Sequence, residues 1–94
     1  MNERLNKAYL HKLRNKIEIQ LLIATILAID NRISEGRFRF LCPVCSEFNT
    51  AVNPKTNLAR CFRCQRNFNP IDMVITVKGY AFLDAVDFLS RYVA

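Results

Sequence analysis

Tryptophan is absent from this 94-residue chain, glycine occurs only twice and proline three times. So few backbone breakers exclude a loop-rich or low-complexity polypeptide and imply a compact one. No internal repeat and no Gly/Ser-rich linker is present. Histidine occurs once, and His11 falls on the polar half of a helical pattern, where it reads as a surface residue. Ser46 and Ser90 have no histidine partner in the pattern, so nucleophilic catalysis finds no support. The eight acids are scattered singly, and Asp84 with Asp87 reads as a solvated helix face. The strongly apolar run from Ile19 to Ile29 is too short to span a bilayer. The first residues, Met-Asn-Glu-Arg-Leu-Asn-Lys, do not form a secretory signal, so a reducing, cytoplasmic setting is expected.

Cysteine is the exception to this scarcity. Cys42-Pro43-Val44-Cys45 and Cys61-Phe62-Arg63-Cys64 are two Cys-x-x-Cys knuckles, separated by enough chain for a hairpin. Each knuckle turns two sulfurs inward, and the four together describe a tetrahedral metal site. Four thiolates suit Zn²⁺ and leave no open coordination position, so one structural zinc held by Cys42, Cys45, Cys61 and Cys64 is expected. A rubredoxin-like iron centre is the rival. Its knuckles usually carry glycine after the second cysteine, where Ser46 and Gln65 stand here. Disulfides require an oxidising compartment, and buried free thiols do not explain two regular pairs.

The formal charge is +6, and four thiolates with one Zn²⁺ lower it to +4. Lys and Arg exceed acids by six to three in residues 1–34 and by six to two in 35–70, whereas 71–94 is slightly acidic. Basicity on the first helix and the zinc region suits an anionic partner such as nucleic acid.

Residues 3 to about 30 read as one long helix, with Leu5, Tyr9, Leu10, Leu13, Ile17, Leu21, Leu22 and Ile26 at spacings of three and four. Its apolar second half, around Leu21, Leu22, Ile23, Ile26 and Leu27, is predicted to pack on the last two helices. Leu5, Tyr9, Leu10, Leu13 and Ile17 would project as a stripe for docking a partner protein or a second copy of the chain. Residues 37–41 alternate as a strand, with partners at 49–53 and 58–62 joined through 53–57. Asn69-Pro70-Ile71-Asp72 is a helix start, and Lys78-Gly79 its end. A last helix over 81–92 places Phe82, Ala85, Val86, Leu89 and Val93 on one face, with Met73 and Tyr80 as core filling.

Strand parity separates two faces. Phe38, Phe40 and Cys42 share one side of 37–42, and Arg37, Arg39 and Leu41 the other. Ala59 and Cys61 face the metal, leaving Leu58, Arg60 and Phe62 opposite. If these strands pair, Arg37, Arg39, Arg60 and Phe62 form one exposed surface rimmed by Lys55, Arg63 and Arg66. Cations beside an aromatic ring suit single-stranded nucleic acid. The alternative is that Phe62 packs under a helix and the arginines are an ordinary solvated face.

From about Gly36 to Leu89 the chain resembles the zinc-binding domain of bacterial DnaG-type DNA primases. The resemblance rests on Cys42-Pro43-Val44-Cys45, Cys61-Phe62-Arg63-Cys64, Asn69-x-Ile71-Asp72 and Phe82-x-x-Ala85-Val86-x-x-Leu89. It implies an α+β fold, a small zinc-ribbon antiparallel sheet flanked by helices, here with a long N-terminal helix. The chain would divide into residues 1–34, for docking or core, and 35–94, the primase-like zinc domain. The family's second ligand is commonly histidine, where this chain has Cys45, and family glycines at the second knuckle are replaced by Arg63, Gln65 and Phe68.

The resemblance further implies a non-catalytic module that binds single-stranded template DNA and assists a separate primase, polymerase or helicase, with no membrane association. With no room for a carboxylate-rich catalytic domain, the chain is not expected to be an enzyme. The alternatives are a structural zinc ribbon serving protein interaction without DNA binding, and a transcription-type ribbon on duplex DNA.

Overall fold

The computed structural model describes residues 6–93. Helix α1 (Lys7–Lys16) starts at Asn6, whose side-chain oxygen accepts from the backbone N–H groups of Ala8 at 2.7 Å and Tyr9 at 3.4 Å. The helix stops where Ile17 and Glu18 become extended, then resumes as α2 (Ile19–Leu21). A π-helical turn over Leu22–Ile26 follows at once. The single helix expected over 3–30 is therefore broken, and burial explains why. Ile17 and Ile19 are both core residues. On a continuous helix they would point about 200° apart, and one would face water. Breaking the helix lets both enter the core.

Strands β1 (Asn31–Ser34) and β2 (Arg37–Phe40) form an antiparallel hairpin, Arg32 opposite Arg39 and Ile33 opposite Phe38. Its two-residue turn, Glu35-Gly36, has positive φ at both positions, 55° and 75°. That is the twist-matched turn that short hairpins require. Strands β3 (Thr50–Asn53), β4 (Leu58–Cys61) and β5 (Arg66–Phe68) form a second antiparallel sheet. Thr50 pairs with Cys61 and Ala51 with Arg60, and Arg60 in turn faces Asn67 on β5. β1 and β5 were not expected from the sequence. The expected pairing of 37–41 with the later strands is replaced by the β1–β2 ladder.

The two sheets meet at Thr50. Its hydroxyl accepts from the Phe40 backbone N–H at 2.9 Å and donates to the Phe40 carbonyl at 2.7 Å. The Arg39 guanidinium also donates to the Thr50 carbonyl at 2.6 Å.

Helix α3 (Pro70–Lys78) begins with a reciprocal capping box between Asn69 and Asp72 and ends at left-handed Gly79, as the sequence signals predict. Helix α4 (Phe82–Ser90) buries Ala85, Val86 and Leu89. One cluster unites Leu13, Ile17, Ile19, Leu22 and Ile23 with Phe40, Phe68, Met73, Val74 and Leu89. The division expected at residue 34 falls at the turn of the β1–β2 hairpin, and this core draws on both sides of it.

Several apolar positions differ from expectation. Leu13 is fully buried and Ile17 nearly so, because α1 lies against α3 and α4. Tyr9 and Leu10 pack against the same core. Tyr9 also donates to Ser90 Oγ at 2.5 Å, tying α1 to α4. The docking stripe of Tyr9, Leu10, Leu13 and Ile17 is thus turned inward, and Leu5 lies outside the described residues. Leu21, expected in the core, is 52 % exposed. It lies two residues from Ile19 and Ile23, on the opposite side of the turn. Phe82 is exposed at the start of α4, and Tyr80 stands at the surface with its ring edge-on to Phe88.

Candidate functional site

The metal site grows out of two strand ends. β2 delivers Cys42, whose N–H donates to the Glu47 carbonyl at 2.9 Å. Its own carbonyl accepts from the Ser46 N–H at 2.9 Å, closing the first knuckle. β4 delivers Cys61, and the second knuckle reverses the chain into β5. In each knuckle a backbone N–H points at the first sulfur: Val44 N–H at Cys42 Sγ and Cys64 N–H at Cys61 Sγ, both 3.4 Å. Such contacts stabilise negative charge on sulfur.

The four Sγ atoms all lie within 4.8 Å of one another, with Cys45 and Cys61 at 3.6 Å and Cys42 and Cys64 at 3.9 Å. Zn–S bonds of about 2.3 Å in a tetrahedron place sulfurs about 3.8 Å apart, so the sulfurs are set for zinc. The separations are far too long for disulfides. These cysteines hold one structural Zn²⁺. His11 is exposed and is not one of the cluster.

Burial raises the Cys42 thiol above its ordinary value despite N–H donation from Cys45 and Val44. Burial also pushes Cys61 up, but the Cys64 N–H and hydrogen bonds from the other thiols outweigh it, leaving Cys61 at about 7. Cys64 moves the other way, raised by desolvation and by its thiol neighbours. A bound Zn²⁺ favours thiolate at all four sulfurs.

Each knuckle ends in a left-handed residue, Ser46 at φ 60° and Gln65 at φ 54°. These are the positions where glycine is the unstrained choice. For a non-glycine residue the conformation costs about 1–2 kcal/mol. The knuckle geometry is kept here at that cost.

The outer face of the β3–β4–β5 sheet carries the other candidate site. Alternation along β4 holds as expected: Ala59 and Cys61 are buried, whereas Leu58, Arg60 and Phe62 face away from the core. Arg60 and Phe62 line a groove of about 350 Å³ with Ala51, Asn53, Leu58 and Asn67. Phe62 is 46 % exposed. The Arg60 guanidinium lies 5.7 Å from the Phe62 ring centre and donates to Asn67 Oδ1 at 3.1 Å. Cation and ring are therefore held side by side.

The remaining predicted contacts are distributed differently. Arg37 and Arg39 belong to the β1–β2 hairpin, and Arg39 is committed to the Thr50 carbonyl. Arg63 pairs with Glu47 at 3.3 Å, and Arg66 lies over the Phe68 ring at 4.8 Å. Lys55 sits on the β3–β4 turn, exposed. The structure brings Arg60 and Phe62 together with Asn67, a residue that parity could have found only once β5 was known.

Two metal-binding knuckles at the ends of strands from two small antiparallel sheets, backed by helices, define a zinc ribbon. The family model described as CHC2 zinc finger, the DnaG-type zinc ribbon, matches residues 5–94, and the chain belongs to that family. The match takes in α1, which the sequence motifs alone did not attach to the family pattern. A search of curated proteins finds no significant match. Cys45 occupies the ligand position where the family commonly has histidine. No helix among the described residues is long and apolar enough to cross a membrane.

Proposed function

We propose that this chain is a non-catalytic, cytoplasmic zinc module that binds single-stranded template DNA and assists a separate primase, polymerase or helicase in DNA replication. The observation that carries the reading is the groove on the outer sheet face, where an exposed ring and a fixed guanidinium stand together. An open aromatic accepts a base by stacking, and the adjacent cation neutralises phosphate. The zinc has a mechanical task. It clamps the end of β4 to the end of β2, which fixes the groove strand on which Arg60 and Phe62 ride. Membership in the DnaG-type zinc ribbon family supports template DNA as the ligand class.

Fluorescence anisotropy with labelled oligonucleotides tests this reading. Single strands are expected to bind more tightly than duplex, with affinity falling as salt rises. Arg60→Ala should weaken binding and flatten the salt slope by about 0.7, the contribution of one single-strand phosphate. Phe62→Ala should cost about 1–3 kcal/mol with the slope unchanged, since stacking releases few counterions. Equal affinity for duplex, or no binding by the zinc-loaded protein, would overturn the proposal. The second outcome leaves the zinc ribbon as a protein-interaction module.

A further inference from the structure

The groove ends at the β3–β4 turn, and a second depression begins on the other side of that turn. Asn53 and Thr56 line the groove, while Pro54, Lys55 and Asn57 line the depression together with Asn15 and Lys16 from the end of α1 and Glu18 from the break beyond it. The two elements are fastened to each other. Asn57 is buried, and its side chain makes three hydrogen bonds to the chain at the helix break: to Ile19 N–H, Arg14 C=O and Ile17 C=O, at 2.6 to 2.9 Å. The end of α1 and the mouth of the groove therefore keep one fixed relation.

The face that α1 turns to solvent is cationic. Lys7, Lys12, Arg14 and Lys16 are all exposed, and no acid occurs between Asn6 and Ile17. Lys16 and Lys55 line the depression from opposite elements, and among the described residues neither ammonium forms an ion pair. Glu18 is the one acid of the depression.

Resting on the reading of the groove as a single-strand site, we infer that the nucleic-acid track continues past the β3–β4 turn onto the basic face of α1, with Lys16 and Lys55 contacting phosphates beyond the bases held in the groove. The sheet then supplies stacking, and α1 supplies a sequence-independent electrostatic rail. The site is longer than the sheet, and its affinity for short oligonucleotides draws on only part of it.

The test compares labelled oligothymidylates of about four and about fifteen nucleotides, the range single-strand modules cover. Both are titrated into zinc-loaded wild type, Lys16→Ala/Lys55→Ala and Glu18→Gln at several salt concentrations. The long probe should bind wild type with the steeper salt slope. The double variant should lower that slope by about 1.4, which corresponds to about 25-fold in affinity at 0.1 M salt relative to 1 M. It should leave the short probe unchanged. Glu18→Gln should tighten the long probe alone. Zinc content and melting confirm that both variants fold. Equal slopes for the two probes on wild type, or a double variant that weakens both alike or neither, would overturn the extended track while leaving the groove intact. If wild type binds neither probe, the proposed function falls, and the track with it.

Discussion

The Asn57 side-chain oxygen accepts a hydrogen bond from the backbone N–H of Ile19 at 2.9 Å, across 38 positions of sequence. Through its amide group the same residue donates to the carbonyls of Arg14 and Ile17 at 2.6 and 2.7 Å. A helix interruption strands backbone donors and acceptors that would otherwise pair along the axis. Here one asparagine, itself left-handed at φ 56° in the β3–β4 turn, satisfies three of them. The turn and the break thus support each other.

Replacing Asn57 tests that interdependence. Asn57→Ala leaves three backbone groups without their partner and places a Cβ-bearing residue with no local hydrogen bond in the left-handed region. With about 1–3 kcal/mol for a buried group left unsatisfied, the loss should reach at least about 3 kcal/mol in denaturant unfolding of the zinc-loaded protein. Asn57→Asp keeps the acceptor for Ile19 but loses both donations, so it should remain strongly destabilised. Retention of wild-type stability by either variant would show that water satisfies the break.

The knuckles invite the opposite kind of substitution. Ser46→Gly and Gln65→Gly remove left-handed strain of about 1–2 kcal/mol. They add back about 0.4–1 kcal/mol of unfolded-chain entropy. Each should therefore stabilise the protein by roughly 0.5–1 kcal/mol, measured as an upward shift in melting temperature at fixed zinc. Destabilisation by either variant would mean that the side chain makes a contact worth more than the strain.

Metal removal should unfold the domain, because a core this small leans on the zinc for its stability. One zinc per chain is expected by elemental analysis, and chelation should abolish cooperative melting. Cys45→Ala should lose the metal. Cys45→His should retain it, since zinc accepts imidazole in a tetrahedral site and that position is commonly histidine in the family. A chelated protein that still melts cooperatively would contradict the dependence.

Truncating α1 should be costly. Leu13 is fully buried, and Leu13→Ala should destabilise by about 2–5 kcal/mol. Deleting residues 1–16 removes Leu13 and the Tyr9–Ser90 hydrogen bond, and should leave a chain that fails to hold a cooperative fold even with zinc. A truncated protein with native-like melting would return α1 to the status of a docking arm.

Much of the site was legible because its signals are local. Cys-x-x-Cys spacing fixes how two sulfurs can converge, and strand alternation around Ala59 and Cys61 placed Arg60 and Phe62 on the outer face without knowledge of the partners. Asn69, Pro70, Asp72 and Gly79 marked α3 because caps act on their own turn. Asn67 went unnoticed because β5 has only three residues, too few to show a period. β1 was hidden by Glu35-Gly36, a turn whose first residue adopts positive φ without being glycine or asparagine.

The metal, its four ligands, the β3–β4 hairpin, the boundaries of α3 and the parity of β4 follow from residues that act on near neighbours. The break in the first helix, the inward turn of Leu13 and Ile17, the exposure of Leu21, and the engagement of Arg39 with the Thr50 carbonyl do not. They depend on which surface each segment meets. An apolar residue at helical spacing is equally suited to a partner's groove and to its own core. Here α3 and α4 lie close enough to claim it. Likewise an arginine on an alternating strand faces outward by parity, but only the neighbouring Thr50 carbonyl decides that Arg39 is engaged within the fold while Arg60 stays beside Phe62 at the groove.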